Sequence, residues 1–516
     1  MPDSSDSRLE RALRLGTVAL SALFVLLFLF VAARRMRYPF ELDRVESGML
    51  TTVWRLRHGF PLYSAPSLDW APFLYAPLFF YLSAAVTKVV GISFGTLRLV
   101  STLATLGSFG FIFLLVWKET RRFAAAALAV GLFASLYPIV FAWFDVGRVD
   151  SLSTFFFLAA VYATRRLHPL AAALLWLLAF LTKQTFLPLG LAVFLIDWQR
   201  PRRMFTGMVA FLLMAGGSVF WLNHTTQGWF SFYAFGTPGV LGWSSHQALM
   251  FPFADLLAPW PIAVALIVMG AACTGVRWRS REGGYLALVT ALLTAAIWFV
   301  RAHAGANLNA LIPLYAWMSV LVGIAADRLL RWSAERSVQG NSSGHPRAAF
   351  PALLWLVAGL QLAAHLYRPA EVSHGDPAAR QRFLAALKAT PGDVWVVDHS
   401  YDNILVGKPV HADMDALDAV LGRGYKPAVT QFAQLTGGGH FTAVVLDRTP
   451  EAYKPSGLFT LPPFSPAYGV RSVAPGYGEP DQPSFVLTGC GTLAGPAGSL
   501  LDTSTGFVDR SACSAR

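Results

Sequence analysis

Two carboxylates three positions apart, Asp43 and Glu46, follow the first apolar segment in the run Leu-Asp-Arg-Val-Glu. A carboxylate held beside a hydroxyl can take its proton, and such base catalysis contributes roughly 10²–10⁴-fold. Charged groups at the edge of a bilayer are costly to hold and mark function by default. The same Asp-x-x-Glu spacing is also a capping box, in which the two acids satisfy the first amides of a helix. The roles are compatible, because a capping carboxylate stays ionised, so both readings remain open for this pair.

Three further polar groups interrupt the apolar chain. Asp145, Arg148 and Asp150 stand in Phe-Asp-Val-Gly-Arg-Val-Asp; Lys183 and Gln184 separate two short apolar runs; Arg301, His303, Asn307 and Asn309 precede another. Each has an ordinary explanation. Arg148 can pair with its neighbours at a helix end, and Lys183 can anchor a span by extending its amine to the interface. Asn307 can cap the next helix, and His303 can be a solvated loop residue. Taken together, carboxylates, a lysine and arginines suit a phosphate-linked donor and a hydroxyl acceptor. A carboxylate takes the acceptor proton while cations hold the leaving phosphate.

The surrounding sequence is that of an integral membrane protein: 516 residues, 55% hydrophobic and 14% charged. A span needs about 20 apolar residues, and such runs recur at 13–33, 99–117, 123–143, 204–222, 257–274, 285–300, 308–326 and 349–367. The net charge of +12 is dispersed in short clusters between them, at 118–122, 165–166, 200–203, 277–281 and 328–336. That is the pattern of cytoplasmic loops, and it excludes a nucleic-acid surface. The clusters fall on one side only if 77–92, which contains Lys88, dips into the outer leaflet or lies along it, and if 167–182 and 185–197 form two short spans. Counting 152–164, the expectation is about eleven spans, with the N-terminus inside and the C-terminus outside. All four polar groups then share the outer face.

Residues 1–367 are therefore expected to form the membrane domain, with the outer loop 34–97 carrying chemistry. Within it an amphipathic helix after Asp43 (Val45, Met49, Val53, Trp54) is expected to lay its apolar side in lipid. Residues 368–516 lose the long apolar runs. A helix over 378–389, buried strands at 394–397 and 443–446, and Gly- and Pro-rich turns over 462–496 predict a small outer α/β domain. Cys490 and Cys513 in this segment are expected to pair, whereas Cys273 packs within a span.

This layout resembles the glycosyltransferase C superfamily of membrane enzymes, which includes protein O-mannosyltransferases and the transferases that add sugars to lipid A. The matching pieces are Asp43-Arg-Val-Glu46, Tyr75-Ala-Pro77, Phe144-Asp145-Val-Gly-Arg148-Val-Asp150, Phe180-Leu-Thr-Lys183-Gln184 and Gly305-Ala-Asn307-Leu-Asn309. They cover about the first 330 residues. The resemblance implies an inverting transfer of a sugar from a polyprenyl-phosphate donor to a lipid, glycan or protein acceptor, on the outer face of a bacterial-type inner membrane. It implies a first-loop acid as base, here Asp43 or Glu46. Tyr75, Asp145, Arg148, Asp150, Lys183, Gln184, Arg301, His303, Asn307 and Asn309 become the substrate-binding candidates. Asp43 and Asp150 are the candidate ligands for a divalent cation, should one be used. The rival class is a transporter or flippase of lipid-linked glycans, which would call for charges at midmembrane and two matching halves with interrupted helices. Neither is evident.

Overall fold

The computed structural model describes residues 8–238, 242–273, 281–303, 306–339, 349–369, 377–437, 441–446, 468–472 and 485–489. The chain enters as α1 (Arg8–Met36), then a juxtamembrane hairpin of α2 (Arg44–Arg57) and α3 (Leu78–Val90), then α4 (Phe94–Thr120) and α5 (Phe123–Ser135). Next come α6 (Val149–Arg166), α7 (Pro169–Thr182), the short α8 (Leu187–Ala192), α9 (Pro201–Thr225) and α10 (Trp229–Ser231). The bundle closes with α11 (Ser245–Met250), α12 (Pro261–Cys273), α13 (Arg281–Arg301), α14 (Ile312–Gln339) and α15 (Phe350–Ala363).

Among the described residues, five helical stretches are long and apolar enough to cross a membrane: α1, α4, α9, Gly283–Arg301 and Leu308–Arg336. The pair Ser245–Leu257 and Pro261–Cys273, bent by 88°, makes a sixth if counted as one span. Shorter apolar helices include Leu78–Val90 and Gln184–Asp197, so five or six spans, not about eleven, meet the length among the described residues. The run 123–143 is not one straight span. Its helix stops at Ser135, and turns follow through Phe141 and Ala142, both at φ 54. Likewise 257–274 is not a simple span, because the chain bends before Pro261.

The basic clusters interlock at one end of the bundle. Glu119 pairs with Arg165 and with Arg166, the latter at 2.9 Å; Arg203 pairs with Asp197 at 2.7 Å and donates to the carbonyls of Thr164 and Leu167. Asp327 holds Arg122 and Arg331, both at 2.8 Å. Helix α6 carries Asp150 in its first turn and Arg165–Arg166 in its last, so the two polar ends lie about 24 Å apart at about 1.5 Å per residue.

Beyond α15 the described chain continues as α16 (Pro377–Ala389), β1 (Val394–Val396), α17 (Ser400–Val406), α18 (Met414–Gly422), α19 (Lys426–Gly437), β2 (Ala443–Leu446), β3 (Tyr468–Ser472) and β4 (Phe485–Gly489). The sheet order is β1-β2-β4-β3, parallel between β1 and β2 and antiparallel elsewhere. The predicted helix and two strands are present, but 462–496 is not turns alone, since β3 and β4 lie in it. Cys490 and Cys513 lie outside the described residues.

The environment of α2 departs from expectation. Met49, Leu50 and Val53 are fully buried, in one core with Phe73, Phe79 and Phe94 from the loop and Tyr401, Met414 and Leu417 from the C-terminal segment. Thr51 bonds Ser400 at 3.0 Å, and the Ser47 hydroxyl accepts from the Tyr401 amide at 3.0 Å. A Cβ on Gly48 would stand 2.3 Å from the Phe73 ring. The apolar side of α2 therefore faces protein, not lipid. Periodicity reports that a face is apolar without reporting what covers it.

Cysteines introduced at His58 and at Glu335, both exposed, in a background without native cysteines, are expected to react with an impermeant thiol reagent from opposite sides of the membrane. Reaction of both from the same side of intact cells would refute the two-ended arrangement.

Candidate functional site

Asp43 caps α2. Its Oδ1 accepts from the Val45 amide at 3.1 Å and from Arg148 Nη1 at 2.8 Å, and its Oδ2 accepts from the Trp143 indole N–H at 3.0 Å. Glu46, one turn on, is wholly buried. Arg98 reaches both of its oxygens, Nε at 2.9 Å and Nη2 at 2.6 Å, and the amides of Gly147 and Leu42 add bonds at 2.8 and 2.9 Å. The expected capping box is thus altered: Glu46 reaches back to Leu42, not to the cap residue itself. Its carboxylate is filled on all sides, whereas Asp43 keeps 8% of its surface and an Oδ2 with a single donor. Of the two acids, only Asp43 retains exposed surface.

From Asp43 an alternating chain of charges runs inward. Arg148 bridges Asp43 and Asp150, with its Nε 3.3 Å from Asp150 Oδ2. Asp150 Oδ1 accepts from Lys183 Nζ at 2.7 Å and from the Asn309 amide at 3.1 Å. Residues 43, 148, 150, 183 and 309, far apart in sequence, therefore meet. Lys183 follows the last residue of α7 and spends one of its three N–H donors on Asp150. Two donors remain for an anion. Burial, offset by Arg148, pushes the Tyr75 hydroxyl up to about 12, so it stays a proton donor at neutral pH.

The segment 136–148 delivers Arg148 and Trp143. Left-handed backbone at two successive non-glycine residues, Phe141 and Ala142, is sparsely populated and persists where the surroundings over-determine it. Thr105 and Ser151 both donate to the Phe144 carbonyl at 2.7 Å, and Gly147 lies so close that a Cβ would stand 2.7 Å from Leu97. The Arg148 guanidinium lies 4.8 Å from the Trp143 ring centroid, a cation–π contact.

Not every candidate joins the cluster. Asp145 is closed off, with Arg35 at 3.3 Å and the Tyr137 hydroxyl at 2.8 Å. Gln184 donates to the carbonyls of Leu74 and Ala234 and fastens the loop to α7. Arg301 forks onto Asp255 at 2.9 and 3.1 Å. Asn307 bonds the Leu308 amide, and His303 bonds the Phe299 carbonyl. Among the described residues no three His, Cys, Asp or Glu converge as a metal would need. Between the two proposed cation ligands, Asp43 and Asp150, stands the Arg148 guanidinium. Sequence reading missed Arg98, Trp143 and Asp255. Arg98 left one signal, a lone charge inside the apolar start of α4; an indole donor leaves none.

Residues 73–302 match the model of Glycosyltransferase family 87. Comparison with curated proteins returned no match. ArnT from Cupriavidus metallidurans bound to undecaprenyl phosphate is similar at 15% identity, covering 92% of this chain and 99% of that one, with a TM-score of 0.57. The archaeal oligosaccharyltransferase AglB from Archaeoglobus fulgidus, in complex with an inhibitory peptide and a dolichol-phosphate, is similar at 12% identity, covering 94% of this chain and 75% of that one, with a TM-score of 0.53.

Arg98→Ala would leave the Glu46 carboxylate buried without its cation, and breaking a buried pair this way costs about 3–5 kcal/mol. The expected result is a large drop in thermal unfolding temperature in detergent, with Arg98→Lys restoring little because the fork onto two oxygens is lost. An unchanged midpoint for Arg98→Ala would show that the pair is not a structural anchor. In fold the chain is similar to ArnT and AglB, and its residues 73–302 match the model of Glycosyltransferase family 87.

Proposed function

We propose that the protein transfers a sugar from a polyprenyl-phosphate donor to a hydroxyl of a lipid, glycan or protein acceptor, with inversion, on the outer face of a bacterial-type inner membrane. Three observations support this reading: the family 87 region, the lipid phosphates named with the similar structures, and above all the placement of Asp43 beside Arg148, Asp150 and Lys183. The first two point to lipid-linked sugar transfer, and the third supplies the chemistry.

In this reading Asp43 Oδ2 takes the acceptor proton as the acceptor oxygen attacks the anomeric carbon. The bond from that carbon to the phosphate oxygen breaks, and its electron pair leaves with the lipid phosphate. The free donors of Lys183, with Arg148, neutralise the negative charge that grows there. Asp150 holds both cations in position, and Asn309 holds Asp150. Tyr75 donates a hydrogen bond to the sugar or the phosphate. Glu46 acts through structure, as a positioning residue that Arg98 locks. Arg148 fills the place between the two acids, so the reaction needs no cation bridging Asp43 and Asp150.

About eleven membrane segments, a cytoplasmic N-terminus and residues 368–516 outside complete the proposal. The interlocked basic clusters and the contacts from the C-terminal segment to α2 support it. The C-terminal segment then serves to fix α2, and with it Asp43.

The test is a strain lacking the gene, complemented with variants, with surface glycans and lipids read by mass spectrometry. Asp43→Asn keeps the cap, since Asn caps about as well as Asp, but cannot take a proton. Product is expected to fall at least about 100-fold at normal protein level, the lower bound for base catalysis. Lys183→Gln, which keeps a donor to Asp150 but loses the charge, is expected to lower turnover more than donor affinity. Glu46→Gln should lower protein level first, because it weakens the Arg98 pair. Normal product from Asp43→Asn would remove this cluster as the catalytic centre.

A further inference from the structure

An apolar cavity of about 1000 Å³ opens between α12 and α13, backed by α14. That volume is the upper end of the range for ligand sites, about 300–1,000 Å³. Small residues make the room: Gly270, Ala287, Ala291 and Ala325 line it. Leu249 and Phe253, also in its lining, are exposed. Along α13 the lining runs from Gly283 to Trp298, about 22 Å of helix, most of the hydrocarbon thickness of about 30 Å.

One charged residue lines the cavity, Arg328, at the end bearing the basic clusters. It is half-buried, and the acid beside it in sequence, Asp327, pairs with Arg122 and Arg331. An apolar slot between membrane helices, ending in a cation, is the pattern of pockets that bind acidic lipid head groups on the cytoplasmic side.

We propose that this cavity binds one anionic phospholipid of the leaflet at that end, its phosphate against Arg328 and its acyl chains along the small-residue wall. The site is separate from the reaction at Asp43 and does not depend on it. The polarity of the cavity argues against the tail of the sugar carrier. Arg328 lies sixteen residues along α14 from Ile312, about 24 Å from the end where Asn309 meets Asp150. A carrier whose phosphate sat at Lys183 would therefore bring its apolar end to a guanidinium.

The full-length protein in neutral detergent is to be titrated with phosphatidylglycerol and with phosphatidylcholine of the same chains, and bound lipid counted by native mass spectrometry. One phosphatidylglycerol should bind at least about tenfold more tightly than phosphatidylcholine. Arg328→Gln should weaken phosphatidylglycerol about fivefold, the contribution of one basic residue near an acidic lipid surface, and leave phosphatidylcholine unchanged. Ala291→Leu, which fills the slot, should weaken both, and it carries the test if Arg328→Gln does not fold. Equal binding of the two lipids, or phosphatidylglycerol binding that neither variant alters, overturns the proposal. So does an Ala291→Leu variant that loses a polyprenyl phosphate while keeping phosphatidylglycerol, which would give the cavity to the carrier.

Discussion

The buried pair of Glu46 and Arg98 is the contact on which the rest of this end of the molecule depends. Arg98 does more than neutralise one acid. Its guanidinium also donates to the carbonyls of Arg35, Tyr38 and Phe40, which close the turn out of α1. Glu46 meanwhile accepts from the amides of Leu42 and Gly147. One ion pair thus joins the exit of α1, the start of α2, the start of α4 and the segment 136–148. Two charges taken from water are tolerated only when further hydrogen bonds satisfy what remains of each, and here those bonds come from backbone groups. The cost of burial becomes positional order.

Asp43 inherits its place from that arrangement. Glu46 fixes where α2 begins, hence where the cap residue stands, and the Glu46 bond to Gly147 sets the residue before Arg148. Two acids of one short motif thereby come to differ in environment. One is filled with donors; the other retains an accessible oxygen. The C-terminal segment secures α2 from the other side. Arg44 pairs with Asp415 at 3.2 Å, and Glu41 meets Arg380 and His399. Rigid elements on both sides of a side chain hold it to one geometry within about 0.5 Å, which the proposed role of Asp43 requires.

Much of the candidate site was legible in the sequence, for a topological reason. Charges in an apolar chain are few, and counting basic clusters assigns the polar groups to one face, so Asp43, Arg148, Asp150, Lys183 and Asn309 converge. What a parity argument cannot resolve is depth and direction on that face. Asp145 lies five residues before Asp150 and belongs to the same motif, yet the turn at Phe141–Ala142 aims it at Arg35 and Tyr137. Arg301 closes α13 and His303 follows it, but only Asn309, in the helical turn Leu308–Leu311, reaches Asp150. The lipid-facing assignment of α2 failed for a related reason: an apolar stripe is equally well covered by a partner segment 350 residues away. The strands β3 and β4 were missed because Gly and Pro mark edges and bends of sheets as readily as loops.

Charge balance in the cluster carries a last consequence for the proposed reaction. Asp43 and Asp150 offset Arg148 and Lys183, so the resting cluster is neutral and stable in a site of low dielectric. In that state the guanidinium of Arg148 lies against Asp43, with Nη1 2.8 Å from Oδ1. A donor phosphate brings new negative charge, for which Lys183 has free donors and toward which Arg148 can turn. In the proposed reaction any such turn would loosen the contact with Asp43 as the leaving group is neutralised. Donor binding and the contacts of Asp43 then share one side chain, and Asp150, bonded to both Arg148 and Lys183, is the anion that holds the two cations.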